Sequence, residues 1–595
     1  MSISLGFAQA DLLRQDISMS ETYDVVIIGG GPSGSTVGSL LKKHAPNLKV
    51  GIFEREIFPR EHVGESLLPS IGRILDEIGV WDAVEAAGFP IKIGATYKWG
   101  TTDELWDFNL LDTREVEPNA PRPGKYEGWR MRSAFQVERS RFDTILLDRS
   151  AELGCDVHQG VGVSKVVCSD DEITHVELSN GEVVTGRYYI DASGNAAVLR
   201  KGVGVQVVEP PSLQNVAFYD YWEDAEWAVS IGTGATRVQV TSLGYGWIWV
   251  IPISATRTSI GLVCPKDYYK KSGKRPEEIY AQAVRTDPRI AALISNAKQT
   301  GPVQGTKDWS FLATRMTGKN WFLVGECAGF ADPILAAGMT MSMVGALECA
   351  YTIIESDRGE QDVQWLKDQF AQRQELRISQ HIQFANFWYS ANAHFTDLME
   401  YTSEIARQAG HEMDAKSAWQ WLGTGGFVSL ETAGAGLAGH SLEQIKALQM
   451  MMFDEESEWL ITKSNVFDLD IEGAETATVP VYFDGRIRKG NVLKRAGKEL
   501  PIKGGFRIAI EALQKSNKLS GVIAHLRLVS AKMGPVVALS GLEALETMVR
   551  EGWVKGSIEK GQPLLRPQDI PRTSNIDWNH DKSDPKVRVA SATVS

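Results

Sequence analysis

The chain has 595 residues, 43% of them apolar, which calls for two or three structural units around a large buried core. Its 62 basic and 75 acidic side chains leave a net charge of −13, spread along the chain, which disfavours nucleic acid or an anionic membrane as a partner. Its five cysteines (Cys155, Cys168, Cys264, Cys327, Cys349) are odd in number with no C-x-x-C pair, so neither a disulfide framework nor a metal site is expected. Residues 1–19 carry no basic start or apolar export core and read as a mobile, dispensable extension. With no run near the ~20 apolar residues of a bilayer span, the expected setting is cytoplasmic. Tyr23 to Ile28 is a β-branched run of the buried parallel-strand type, and it feeds Gly29-Gly30-Gly31-Pro32-Ser33-Gly34 and a helical stretch to Lys43.

This is a G-x-G-x-x-G motif between a strand and a helix, the context a dinucleotide fingerprint requires. Gly29 permits the tight turn, Gly31 lets backbone approach a pyrophosphate, and Gly34 lets the helix pack on the strand, with Ser33 at the helix start. Lys49 to Phe53 makes a second strand that ends in Glu54, positioned to accept hydrogen bonds from an adenosine ribose. Farther on, Tyr188 to Gly194 and Trp321 to Phe330 each read as a strand running into a glycine turn. Segments 95–137 and 206–305 alternate Tyr, Trp, Val and Thr and read as an antiparallel sheet on the substrate side.

Within that sheet, Gly246-Trp247-Ile248-Trp249-Val250-Ile251-Pro252 sets two indoles two residues apart, on one side of an extended strand. Taken alone such a pair is ordinary core packing. Residues 339–400 read as long helices in which Phe384, Phe387, Trp388 and Tyr389 form a core stripe. Gly423 to Leu437 reads as a lid or linker, Val479 to Phe483 as a strand, Leu542 to Gly552 as a helix, and 571–595 as a disordered polar tail. The fold class that follows is α/β, with a doubly wound dinucleotide-binding domain (20–94, 138–205, 306–350), the substrate-side sheet, and a mainly helical C-terminal domain (351–570).

Three further stretches carry a family resemblance. Arg60-Glu61-His62-Val63-Gly64-Glu65-Ser66-Leu67-Leu68-Pro69, Gly88 to Thr96, and the W-x-W-x-I-P segment resemble flavin-dependent halogenases of the phenol and pyrrole branch, within the para-hydroxybenzoate hydroxylase-like flavoproteins. The resemblance spans roughly residues 20–350. It implies FAD as cofactor, with Arg60, Ser66, Gln136, Arg139, Asp191, Gly194, Gly325, Glu326 and Pro333 near it. It also implies that FADH2 and O2 give a C4a-hydroperoxide, that chloride or bromide takes the distal oxygen, and that hypohalous acid travels to the substrate. Trp247, Trp249 and Pro252 would wall the flavin off from substrate, and Lys92, flanked by apolar residues, would form a chloramine or polarise the hypohalous acid.

Phe330-Ala331-Asp332-Pro333-Ile334-Leu335-Ala336-Ala337-Gly338 resembles the family's F-x-x-P-x-x-S-x-G motif, with halide held by the backbone N–H groups of Ala337 and Gly338. Two departures stand out there. Alanine replaces the serine at 336, and Leu335 replaces the glutamate of tryptophan halogenases, which argues against free tryptophan as substrate. At the strand end after Val324, Glu326 stands where the wider family has aspartate. Arg315 is expected to be structural, and Trp309 to line the flavin or close the core. The resemblance implies an electron-rich aromatic substrate, a phenol, pyrrole or indole, free or tethered to a carrier protein. With no second nucleotide fingerprint, a separate flavin reductase is expected to supply FADH2. Ala336 keeps an aromatic hydroxylase open as the alternative; an isoprenoid reductase or a silent flavin scaffold stands further off.

Overall fold

The computed structural model describes residues 21–99, 105–109, 134–231, 234–307, 310–390, 459–495, 498–533, 536–566 and 570. The N-terminal extension, Trp309, the 423–437 glycine segment and the 571–595 tail lie outside them, as do 110–133 and 391–400.

Two large sheets organise the molecule. The first runs β6(Asp156–Gln159), β2(Val50–Glu54), β1(Glu21–Ile28), β9(Val183–Asp191), β8(Glu172–Leu178) and β7(Val163–Ser169), with β18(Trp321–Leu323) also on β9. β1 lies parallel between β2 and β9, in register Ile28↔Phe53 and Ile28↔Asp191. A strand buried on both faces selects an unbroken β-branched run, which is why Val25, Val26, Ile27 and Ile28 are all buried. Helix α1(Pro32–His44) starts with proline at its first turn and packs between this sheet and α4(Gly338–Arg358), so Pro32 to Leu41 are buried on every side.

The second sheet follows the order β15(Lys298–Gln299), β11(Asn215–Glu223), β14(Arg257–Pro265), β13(Trp247–Pro252), β12(Ala235–Ser242), β3(Ile91–Lys98) and β4(Trp106–Asn109). β16(Gln304–Lys307) adds to β11 and β5(Ala134–Phe135) to β3. The expected antiparallel pattern holds except between β12 and β3, which are parallel. One face packs Ile248, Val250, Ile260 and Leu262 against Ile279, Tyr280, Ala283 and Val284 of α3(Pro276–Thr286). The other face carries Trp247, Trp249 and Ile251 towards the first sheet. A separate short sheet is formed by β10(Val207–Val208), β17(Phe311–Ala313) and β19(Gly329–Phe330), and α2(Arg139–Glu152) packs on α1 and β6.

α4 and α5(Val363–Ser390) are the long helices expected there. Beyond residue 459, α6(Gly504–Lys515), α7(Leu519–Met533) and α8(Val536–Arg550) enclose a core of Phe506, Leu526, Leu545 and Trp553, distinct from the main one. Two small sheets accompany them: β20(Val466–Leu469) with β24(Val554–Ser557), and β21(Glu475–Phe483), β22(Arg486–Arg495), β23(Lys498–Pro501). Only Val479 to Phe483 betrayed these in the sequence. The unit docks through β22, where Arg486 pairs with Glu355 and Glu360 and Gln361 donates to Ile487 O. All five cysteines are unpaired. Among the described residues no helix is long and apolar enough to cross a membrane.

Candidate active site

Between the two sheets lies one continuous cavity of about 690 Å³, in the ~300–1,000 Å³ range of small-molecule sites. At one end is the glycine turn after β1. Gly29 has φ +104°, and a side chain on Gly34 would bring its Cβ within 1.9 Å of Gly29 O. Both positions therefore admit only glycine. Glu54 is buried at the end of β2 and accepts from Gly30 N (2.7 Å) and Glu56 N (2.8 Å), so it braces the turn as well as lining the cavity.

Arg60 and Arg139 share the fully buried Asp143. Arg139 grips it with a two-pronged contact (2.8 and 2.9 Å) and also donates to Val63 O, while Arg60 lies 3.3 Å from it. Arg60 also lies beside the glycine turn, where a Cβ on Gly31 would be 3.3 Å from its Nη2, a place where a guanidinium suits a phosphate-bearing ligand. Glu326 faces the two arginines; burial raises its carboxyl pKa, and Arg139 and Arg60 oppose that rise. His62 lies beside Arg139, and burial, with that charge, pushes it down to about 4, so it is neutral at physiological pH. Ser66 and Gln136 pair across an isolated bridge, and the Ser66 hydroxyl and both amide atoms of Gln136 are buried without a hydrogen-bond partner. Orphaned polar groups behind such a cavity are what a polar flavin ring system would satisfy, so the residues present fit FAD.

Lys92 reaches the cavity through a β-bulge. Strict alternation along β3 would set Lys92 with Gly94 and Thr96, opposite Ala95 and Tyr97. The register with β12 instead pairs Lys92 with Thr236 and Gly94 with Arg237, which leaves Ile93 as the extra residue. Lys92 therefore shares the cavity face with Ala95, Tyr97, Val238 and Val240. It is 3% exposed, its Nζ donates to Leu67 O at 3.1 Å, and burial alone lowers its pKa to about 7. A substantial fraction is neutral amine near pH 7, as the chemistry expected of it requires.

The tryptophan pair does form one wall. The two rings lie 5.9 Å apart, both line the cavity, and both indole N–H groups are already bonded, Trp247 to Tyr389 Oη (2.7 Å) and Trp249 to Ser259 Oγ (3.1 Å). Gly261, opposite Trp249 in register, makes room for its ring; a Cβ there would lie 2.1 Å from it. The wall thus offers hydrocarbon with its polar donors satisfied elsewhere.

The segment Phe330 to Gly338 lines the same cavity through Phe330, Pro333, Ile334, Ala336 and Gly338. Asp332 caps the turn Pro333–Leu335, accepting from Ile334 N at 2.9 Å. Burial pushes Asp332 up to about 7, against hydrogen bonds from Ile334, Tyr389 and Asn215. Ala336 takes the left-handed conformation (φ 51°), and Gly338 opens the 21-residue α4, where a Cβ would lie 2.7 Å from the Phe330 ring.

Of the residues expected at the site, Lys92, Trp247, Trp249, Gly29, Gly31, Ser33, Glu54, Arg60, Ser66, Arg139, Gly194, Glu326, Pro333 and Gly338 line this cavity. Gly34, Gln136, Gly325, Ala337 and Pro252 do not line it. Asp191 does not line the cavity. It is fully buried, and its carboxylate is engaged by Ser193 N and Oγ, Cys327 Sγ and Arg200 N, so it shapes the Gly194 turn from within. Arg315 is half exposed and pairs with Asp171, the structural role expected. The sequence did not assign Glu65, which lines the cavity and accepts from Tyr221 Oη at 3.0 Å, although it stands inside a quoted motif. Tyr97, Val238 and Val240 were missed as well; only alternation could have suggested them.

The FAD binding domain family matches residues 22–385. The 1H-pyrrole-2-carbonyl-[peptidyl-carrier protein] chlorinase of Pseudomonas fluorescens is 32% identical over 397 residues, 64% of this chain and 86% of its own length. The myxobacterial chondrochloren halogenase CndH has a similar structure, with a TM-score of 0.57 and 27% identity over 73% of this chain and 97% of its own. CmlS, a flavin-dependent halogenase, is 22% identical with a TM-score of 0.67 over 92% of this chain and 98% of its own, a likeness of fold that extends into the C-terminal region.

Proposed function

Because this chain belongs to the flavin-dependent halogenases, FAD-binding enzymes, we propose that it uses Lys92 to deliver an electrophilic halogen to an electron-rich aromatic. The substrate class is a phenol, pyrrole or indole, free or tethered to a carrier protein. Bound as FADH2 and reacting with O2, the cofactor supplies the oxidising power that converts chloride or bromide to hypohalous acid. The observation that carries the reading is Lys92, an amine brought by burial to a pKa of about 7, in one cavity with the glycine cradle and the tryptophan wall. As a neutral amine it can displace hydroxide from hypohalous acid, giving a haloamine and water, or polarise the acid by hydrogen bonding. The wall's satisfied indoles keep an aromatic substrate from the flavin while leaving a narrow oxidant room to pass.

Halide binding is assigned to the N-terminus of α4, whose first N–H groups, at Ala337 and Gly338, lack intrahelical acceptors. Loss of the serine hydroxyl at Ala336 leaves those backbone donors intact. Reducing equivalents come from a separate flavin reductase. A second reading, aromatic hydroxylation, draws on Ala336 alone, and the wall argues against it, because a hydroxylase must bring its substrate to the flavin.

The test is a panel of phenols, pyrroles and indoles incubated with FAD, NADH, a flavin reductase and O2, with bromide, chloride or neither, read by mass spectrometry. Halide-dependent products with chlorine or bromine isotope patterns are expected. Oxygen insertion without halide would establish the hydroxylase instead, and rapid NADPH oxidation by this protein alone would refute the separate reductase.

A further inference from the structure

We propose that Tyr389, near the end of α5, is a positioning residue that holds the tryptophan wall and the halide loop in fixed relation. The inference rests on the halide-loop reading above. An indole N–H can only donate, so Tyr389 Oη is the acceptor from Trp247 and turns its own O–H to Asp332. Trp247 Nε1 donates to Tyr389 Oη (2.7 Å), and Tyr389 donates to Asp332, 3.0 and 3.2 Å from its two oxygens. All three side chains are at most 2% exposed, so water does not compete for these bonds.

Asp332 is the pivot. Its Oδ1 also caps the loop at Ile334 N, and its Oδ2 takes a bond from Asn215 Nδ2 (3.3 Å) on β11. From Pro333 the loop is compact: Ala336 N returns to Pro333 O, and Ala337 O accepts from Met341 N in α4. A displacement of the Asp332 carboxylate therefore moves the amides of Ala337 and Gly338, and the same displacement is shared with Trp247. Trp99 packs at 6.2 Å from Tyr389 and 6.5 Å from Trp247, which holds the phenol ring in place independently of its hydroxyl. Tyr389→Phe should thus remove the link and keep the packing.

The test uses full-length, FAD-loaded protein. Bromide occupancy at the Ala337 and Gly338 nitrogens is followed by anomalous diffraction over a bromide concentration series, with halide KM measured alongside. Tyr389→Phe is expected to weaken bromide binding about three- to tenfold, the factor a lost buried hydrogen bond carries, with FAD affinity unchanged. Trp247→Phe should act in the same direction, and the double variant should be no worse than the stronger single one, because both cut one chain. Unchanged bromide affinity and halide KM in Tyr389→Phe, with only the melting temperature lowered, would make Tyr389 merely structural and overturn the inference. Should that variant not fold, Trp247→Phe with unchanged bromide affinity would overturn it equally. Absence of bromide from the loop in the wild type would overturn the halide-site reading and this inference together, whereas wild-type binding that neither variant alters would overturn the inference alone.

Discussion

Replacing Lys92 with methionine should stabilise the protein, and the gain should depend on pH. Lys92 is buried with one backbone acceptor and no carboxylate partner among the causes of its shift, so its fall from 10.5 to about 7 is a desolvation cost. At about 1.36 kcal/mol per tenfold change in proton affinity, that cost approaches ~5 kcal/mol when the unfolded chain is protonated and the folded amine must be either charged in an apolar site or stripped of its proton. Methionine keeps the length and packing of the side chain but forfeits the bond to Leu67 O, worth about 1 kcal/mol, leaving a net gain on the order of 2–4 kcal/mol.

The sign follows from a lowered folded pKa. Between pH 7 and 10.5 the unfolded chain binds more protons than the folded one, so wild-type stability rises with pH there, and the penalty is full below pH 7. The advantage of Lys92→Met is therefore largest at pH 6 and nearly gone at pH 10. Urea unfolding of both proteins at pH 6, 8 and 10, with saturating FAD, reads it directly. A difference that does not change with pH, or a methionine variant less stable at pH 6, would refute the desolvated-amine argument.

Gly34→Ala should abolish FAD binding, seen as loss of bound-flavin absorbance, because the added Cβ meets Gly29 O at 1.9 Å. Gly261→Ala should push the Trp249 ring into the chamber and lower turnover of bulky aromatics more than small ones, by at least about tenfold if the overlap costs about 1.4 kcal/mol or more. Ala336→Ser should keep or raise the halogenation rate, since both residues bear the same left-handed backbone strain and only a hydroxyl is added. A large loss on kinetic assay would mean that this loop does not hold the halide.

Features governed by local rules were legible in the sequence. The glycine cradle was, because Gly29 and Gly34 answer to backbone sterics within one turn, and so was the tryptophan wall, because alternation needs only a strand. Lys92 came from resemblance; its face did not follow from alternation, since the bulge at Ile93 depends on the register with β12, more than a hundred residues away. Asp191 near the cofactor came from resemblance; that its carboxylate is bonded by the N–H groups of Ser193 and Arg200 was not legible in the pattern. Trp388 and Tyr389 read as a core stripe and are buried, but the Tyr389 bonds span 57 residues to Asp332 and 142 to Trp247, separations at which periodicity carries no information. The small sheets beyond residue 459 escaped for a different reason: β22, Arg486 to Arg495, is rich in lysine and arginine and lacks a clean apolar alternation.

The central claim is that Lys92 transfers the halogen within the cavity that binds FAD. It is tested most directly by a single-turnover reaction of protein loaded with prereduced FAD, given O2, bromide and an aromatic substrate found to react, comparing wild type with Lys92→Ala. The account predicts equal O2 consumption by the two and brominated product, with its paired isotope peaks, from wild type alone. Brominated product from Lys92→Ala at the wild-type rate would contradict it.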